Sequence, residues 1–273
     1  MENFSIDAYT PAQIAQRVEK ACISKATNDP VVVFVLAVLA GAFIAVGGAY
    51  YLMVIHDVTG VPVGMARALG GLVFSLGLVL VVVAGAELFT GNNLLVMACL
   101  DGKISTKQLL RNWGIVFAGN AVGAAGFAMF LVLSGVLAIN EGAVADQLLR
   151  IATAKLSLTW YEAFFRGVLC NVLVCLAVWL CFAGHSVTDK ILAIILPISA
   201  FVALGFEHSI ANLFFVPAAQ FCLWLQPEVM KSAVAISTWD FVADNLVPVT
   251  LGNMFGGGVL VGLVYWFNYL RSK

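Results

Sequence analysis

Apolar residues run along this chain in long blocks, without the spacing of elements that bury one face and wet the other. Residues 31–55, 112–140, 167–184 and 245–270 carry no charge at all. Two further blocks are each broken once. Residues 68–86 meet Glu87 and resume over 88–100; residues 191–206 meet Glu207 and His208 and resume over 209–227. About 20 apolar residues cross a bilayer as a helix. The pattern therefore predicts an all-α integral membrane protein of six transmembrane helices, the second and fifth overlong and broken.

Ahead of the first span, Thr10 suits a helix cap, Pro11 the first helical position and Gln13 a capping box. Ile14, Val18 and Cys22 then share one face. The expectation is a short amphipathic helix lying on the inner membrane surface.

Composition fits. Of 273 residues, 62% are hydrophobic and 11% charged, too few charges to cover a water-soluble body of this size. A net charge of −1 excludes a strongly basic nucleic-acid binder, so the bilayer and not nucleic acid is the expected partner. The six cysteines form no Cys-x-x-Cys pair and no zinc-spaced Cys/His cluster, so no metal, cofactor or disulfide framework is expected. The first thirty residues lack the apolar core of a cleavable leader. With the N-terminus inside, nine basic residues (Arg17, Lys20, Lys25, Lys103, Lys107, Arg111, Lys190, Arg271, Lys273) face the cytoplasm. Four (Arg67, Arg150, Lys155, Lys231) face out. The positive-inside rule then places both termini in the cytoplasm, at the inner (cytoplasmic) membrane.

The two interruptions resemble each other. Gly85, Glu87 and Asn92 lie over Gly205, Glu207 and Asn212; Asn112, Gly119, Asn120 and Gly123 share the spacing of Asn245, Gly252, Asn253 and Gly256. The chain divides into a cytoplasmic helix within 1–30 and two three-span repeats, 31–140 and 141–273, the second ending in a short tail. Three spans per half reverse the orientation of the second half, which makes an inverted repeat. Backbone leaves the helix at membrane depth only where protein or a wet cavity surrounds it, and freed helix-end amides favour anions. Paired breaks thus point to a permeation pathway.

Residues 85–90 (Gly-Ala-Glu-Leu-Phe-Thr), 205–212 (Gly-Phe-Glu-His-Ser-Ile-Ala-Asn) and 245–253 (Asn-Leu-Val-Pro-Val-Thr-Leu-Gly-Asn) resemble the formate/nitrite transporter family. So does 171–179 in the fourth span. The resemblance covers nearly the whole chain. It implies an aquaporin-like fold, a homopentamer and a pore through each protomer. Aquaporins share the inverted architecture, but no Asn-Pro-Ala occurs here, which counts against a water or glycerol channel.

His208 is the one histidine inside an apolar run, and is read as the titratable group of the pore; the resemblance makes it the central histidine facing substrate. Glu87 and Glu207 are read as structural, accepting hydrogen bonds from freed backbone, since an exposed carboxylate would repel an anion. Thr90 can donate a hydroxyl to an anion or cap a helix; the resemblance sets it opposite the histidine. Asn171 and Asn253 are polar within apolar spans and either line the pore or bond between helices. Only the resemblance singles out Phe74, Leu78, Leu88, Val174 and Phe201, as two apolar constrictions. Likewise only the resemblance sets Lys155 near the outer vestibule, where a cation would concentrate anions.

A bare monovalent charge in an apolar constriction costs roughly 2.5–3.5 kcal/mol even on lenient scales. A weak acid avoids most of that by crossing neutral. Proton transfer from imidazolium to a carboxylate costs ~3.4 kcal/mol in water, and burial penalises both charged partners. The mechanism expected is attraction of the anion, protonation at His208, and passage as the neutral acid with its proton. Members of the family handle formate, nitrite, hydrosulfide or lactate. Residues 196–201 and 256–258 look most like formate channels, 87–91 and 165–171 closer to nitrite channels. Formate is the first expectation, nitrite and hydrosulfide the alternatives. One histidine without a catalytic cluster argues against an enzyme.

Overall fold

The structure is a computed structural model that describes residues 7–230 and 235–271; Lys231 and Lys273, counted above for orientation, lie outside them. The described residues are helical, with no strand. In chain order the helices are α1 (Pro11–Thr27), α2 (Pro30–Ile55), α3 (Val63–Ala84), α4 (Leu95–Leu100), α5 (Thr106–Leu133), α6 (Ala143–Leu156), α7 (Trp160–Cys181), α8 (Val187–Ala203), α9 (Ser209–Leu225) and α10 (Thr238–Tyr269). Five of them (α2, α3, α5, α7, α10) are long and apolar enough to cross a membrane.

Local chemistry sets the ends. Asp29 caps α2, accepting from Val31 and Val32 N–H at 2.9 and 3.2 Å, with Pro30 in the first turn. Capping boxes open α1 (Thr10, Gln13), α5 (Ser105, Gln108), α7 (Thr159, Glu162) and α8 (Ser186, Asp189). Gly85 (φ +83°) and Gly205 (φ +70°) stand in the left-handed region, where a side chain would be strained. α3 therefore stops at Ala84, and chain 85–94 is irregular and then a 3-10 turn before α4. The expected fifth span divides in the same way into α8 and α9, 17 residues each. In α10, a π-helical stretch at Phe241–Leu246 ends two residues before Pro248, which relieves the clash of the proline ring with the carbonyl four residues back.

Small residues let these helices approach. A Cβ on Gly123 would collide with the Val38 carbonyl, and one on Gly256 with that of Val168. α2 thus packs on α5, and α7 on α10. Phe130, Tyr161, Phe165, Leu192 and Leu196 are exposed on the outside of the bundle, as expected of a protein solvated by lipid.

Two features differ from expectation. The apolar stripe of α1 (Ile14, Ala15, Val18, Cys22, Ala26) is buried against Leu94, Leu95, Met97 and Ala98. This helix docks its face on protein, so lipid has no apolar stripe left to contact. α6 was not anticipated; Val144, Ala145, Leu148, Leu149 and Ala152 are its buried face.

Gly256→Ala is expected to cost about 1–3 kcal/mol by overpacking against the α7 backbone. A lowered thermal midpoint of the purified protein in detergent would register it; an unchanged midpoint would mean that α7 and α10 can separate freely.

Candidate functional site

Two cavities reach the irregular stretches, the larger at Glu87 and the smaller at Glu207. The larger, about 320 Å³, is lined by Arg17, Lys25, Leu78, Glu87, Leu88 and Lys190, among others. The smaller, about 90 Å³, is lined by Phe74, Lys155, Phe201, Glu207 and His208 with their neighbours. Thr90 and His208 meet: Thr90 Oγ1 lies 3.1 Å from His208 Nε2, and both residues are buried. Phe201 stacks on the imidazole with centroids 5.9 Å apart and meets Phe74 edge-on at 5.8 Å. Thr90, Val174, Asn171 and Asn253 line neither cavity.

His208 sits at the head of α9, and its Nδ1 accepts from the Ala211 N–H at 3.1 Å. An N–H only donates, so Nδ1 carries a lone pair and the neutral ring holds its proton on Nε2. That proton is donated to Thr90 Oγ1, which leaves the Thr90 hydroxyl hydrogen to donate onward.

The irregular stretches are held by one set of bonds, formed twice. Asn120 Nδ2 donates to Ala37 O and Glu87 O (2.7 and 2.9 Å), while its Oδ1 accepts from Phe89 N–H (2.9 Å). Asn253 Nδ2 donates to Gly167 O and Glu207 O (2.8 and 3.0 Å), while its Oδ1 accepts from Ser209 N–H (3.0 Å). Glu87 N–H reaches Leu36 O and Glu207 N–H reaches Arg166 O, each at 3.2 Å. The carboxylates are paired alike. Lys25 Nζ donates to Glu87 and Lys155 Nζ to Glu207, each at 2.9 Å. Asn92 and Asn212 donate to the second carboxylate oxygens at 2.7 Å. Asn112 and Asn245 brace those asparagines and donate to Lys25 O and Lys155 O. Asn171 links the halves, donating to Thr90 O (3.2 Å), Asn93 Oδ1 (2.8 Å) and Asn253 O (2.7 Å).

Several expectations change. Glu87 and Glu207 do not accept from freed backbone; lysine and asparagine hold them, because a buried carboxylate needs a counter-charge as well as donors. The freed amides of Phe89, Ser209 and Ala211 are taken by Asn120, Asn253 and His208, so they are not free for an anion. Lys155 is not an open cation: its side chain is 14% exposed and ion-paired. Of the two readings of Asn171 and Asn253, bonding between helices is what the geometry contains. Lys25 was missed as a site residue. Its signal was present, since the apolar positions Ile14, Ala15, Val18 and Cys22 before Lys25 share the spacing of Val144, Ala145, Leu148 and Ala152 before Lys155.

The described residues thus make a multi-pass helical membrane protein with a buried histidine–threonine contact, the histidine lining the smaller cavity. The chain belongs to the formate/nitrite transporter family, whose sequence profile matches residues 12–267. It is 42% identical over 275 residues to the formate channel FocA of Escherichia coli (strain K12), covering 98% of this chain and 96% of that one. With the formate channel FocA of Haemophilus influenzae it shares 39% identity, covering 96% and 95%. Among solved structures, a pentameric formate channel with formate bound superposes with a TM-score of 0.82 at 40% identity, covering 93% of this chain and 99% of that one. An FNT family ion channel gives the same TM-score at 29% identity, covering 93% and 98%. Such relatives are channels and transporters, not enzymes.

Lys155→Met would strand the Glu207 carboxylate, which is buried, and is expected to cost about 3–5 kcal/mol. Adding Glu207→Gln should recover most of that loss. Thermal denaturation of both variants in detergent checks the pair; equal stability of the single and double variants would mean that Glu207 is not ionised.

Proposed function

We propose that the protein conducts a small monovalent weak-acid anion, formate first, across the inner membrane as the neutral acid, through a pore in each protomer of a homopentamer. In this reading both termini are cytoplasmic. Residues 31–140 and 141–273 are two inverted three-span repeats whose second and fifth spans are broken at Glu87 and Glu207. The recurrence of the Lys25–Glu87–Asn92 bonds as Lys155–Glu207–Asn212 supports the repeat. The pentamer and formate rest on the likeness to a pentameric formate channel with formate bound.

One observation carries the mechanism: the buried 3.1 Å bond between Thr90 Oγ1 and His208 Nε2, beside the smaller cavity that His208 lines. The anion approaches past carboxylates already neutralised by Lys25 and Lys155. Phe74, Leu78, Leu88, Val174 and Phe201 form two apolar constrictions, with Thr90 donating to the anion between them. Asn171 and Asn253 hold the loops that carry these groups. The geometry favours a relay. The resting ring holds one proton, on Nε2; giving it up without replacement would leave an imidazolate. A proton must therefore arrive from water at Nδ1, displacing the Ala211 N–H, as one leaves through Thr90 for the anion. Proton and anion then cross together, and the acid dissociates on the far side.

His208→Asn tests this. Asparagine is a good N-cap, so α9 keeps its first turn and the protein should assemble. Formate uptake into liposomes should fall at least tenfold, while chloride, which takes no proton, should fall less or rise. Wild-type current measured beside radiolabelled uptake should carry far less than one charge per formate. An assembled Asn variant carrying formate at the wild-type rate, with one full charge per molecule, would overturn the proton-coupled mechanism. Nitrite or hydrosulfide outpacing formate would instead reassign the substrate.

A further inference from the structure

Tyr51, near the end of α2, lines the smaller cavity beside Lys155, Phe74, Phe201 and His208, and nothing above gives it a task. Its ring is held from three sides. Phe74 and Phe215 meet it edge-on at 6.4 and 6.0 Å between centroids, and on the third side a Cβ at Gly70 would fall 2.7 Å from Tyr51 Cε2. The hydroxyl, by contrast, makes no hydrogen bond to any described residue. A largely buried tyrosine normally finds a partner for its O–H, and here the remaining source of one is whatever occupies the cavity.

The other polar groups of that cavity each have a partner within the protein, although Lys155 commits only one of its three N–H groups. Lys155 Nζ is on Glu207 at 2.9 Å, the second Glu207 oxygen accepts from Asn212 at 2.7 Å, and His208 bonds Thr90 and the Ala211 amide. We infer that the Tyr51 hydroxyl is the positioning donor that receives the permeating anion in the smaller cavity, before the Phe74–Phe201 constriction. The inference rests on the transport reading above. A phenol suits the task. It is a neutral donor with a pKa near 10, so it holds a small conjugate base without adding a second fixed cation that would trap it. It also does not compete with His208 as a source of protons. The ligand class is a small monovalent anion with at least one hydrogen-bond acceptor.

Tyr51→Phe keeps the ring contacts and removes only the donor. The half-saturating formate concentration for flux from the smaller-cavity side should rise about three- to tenfold, the size of one hydrogen bond. Maximal flux and thermal midpoint should stay near wild type. In a second measurement, 3-fluorotyrosine placed at position 51 should give a fluorine resonance that shifts saturably with formate. An unchanged half-saturation in the Phe variant, or a resonance indifferent to saturating formate, would overturn the inference. Wild-type protein that shows the shift yet carries no formate would overturn the transport reading and leave Tyr51 as a binding group.

Discussion

Backbone that leaves the helix inside an apolar protein strands its own amides and carbonyls, each costing several kcal/mol if left bare. Everything at the centre of this molecule depends on how that cost is met. Asn120 and Asn253 meet it, because a carboxamide is both a double donor and an acceptor. Each closes at once on one carbonyl and one N–H at an irregular stretch and on one carbonyl of a neighbouring helix. Asn171 then ties one loop to the other's anchoring helix. Shape alone would not hold residues 85–90 or 204–208; the glycines at 85 and 205 permit the turns, and the asparagines keep them.

The same bonds decide the electrostatics. A bare Glu87 or Glu207 would oppose any anion reaching His208. Lys25 and Lys155, at 2.9 Å, cancel that field while Asn92 and Asn212 satisfy the remaining oxygens. The cations are paired in charge in doing so. Arg17 and Lys190 line the larger cavity, but nearer His208 the groups left on the proposed path are weakly polar and neutral: the Thr90 hydroxyl, the His208 ring and the Tyr51 phenol. Such a path passes a neutral acid more readily than a bare ion.

Much of the fold was legible because lipid imposes a crude rule. Long apolar blocks must be helices, and charges inside them must matter. Glu87, Glu207 and His208 stood out for that reason, and the spacing of Asn112 and Asn120 against Asn245 and Asn253 is what pointed to the proposed repeat. α6 was less legible, since its apolar face is short and lies among charged loop residues. The apolar stripe of α1 was read correctly, but its partner was not. A stripe at helical spacing looks alike whether it meets lipid or protein.

By itself the sequence determined that the chain is helical, that it spans a membrane, and which positions interrupt its apolar blocks; these follow from hydropathy, glycine and charge over neighbouring residues. Only the tertiary structure decided the partners. Lys25 and Glu87 are 62 residues apart in the chain and Thr90 and His208 are 118 apart, and no local pattern encodes which distant groups will meet. The carboxylates are therefore held by lysines and asparagines rather than by backbone, Lys155 is spent on Glu207, and His208 is a neutral helix cap facing Thr90. Pairing across the fold settles charge and hydrogen-bond direction, which residue identity alone leaves open.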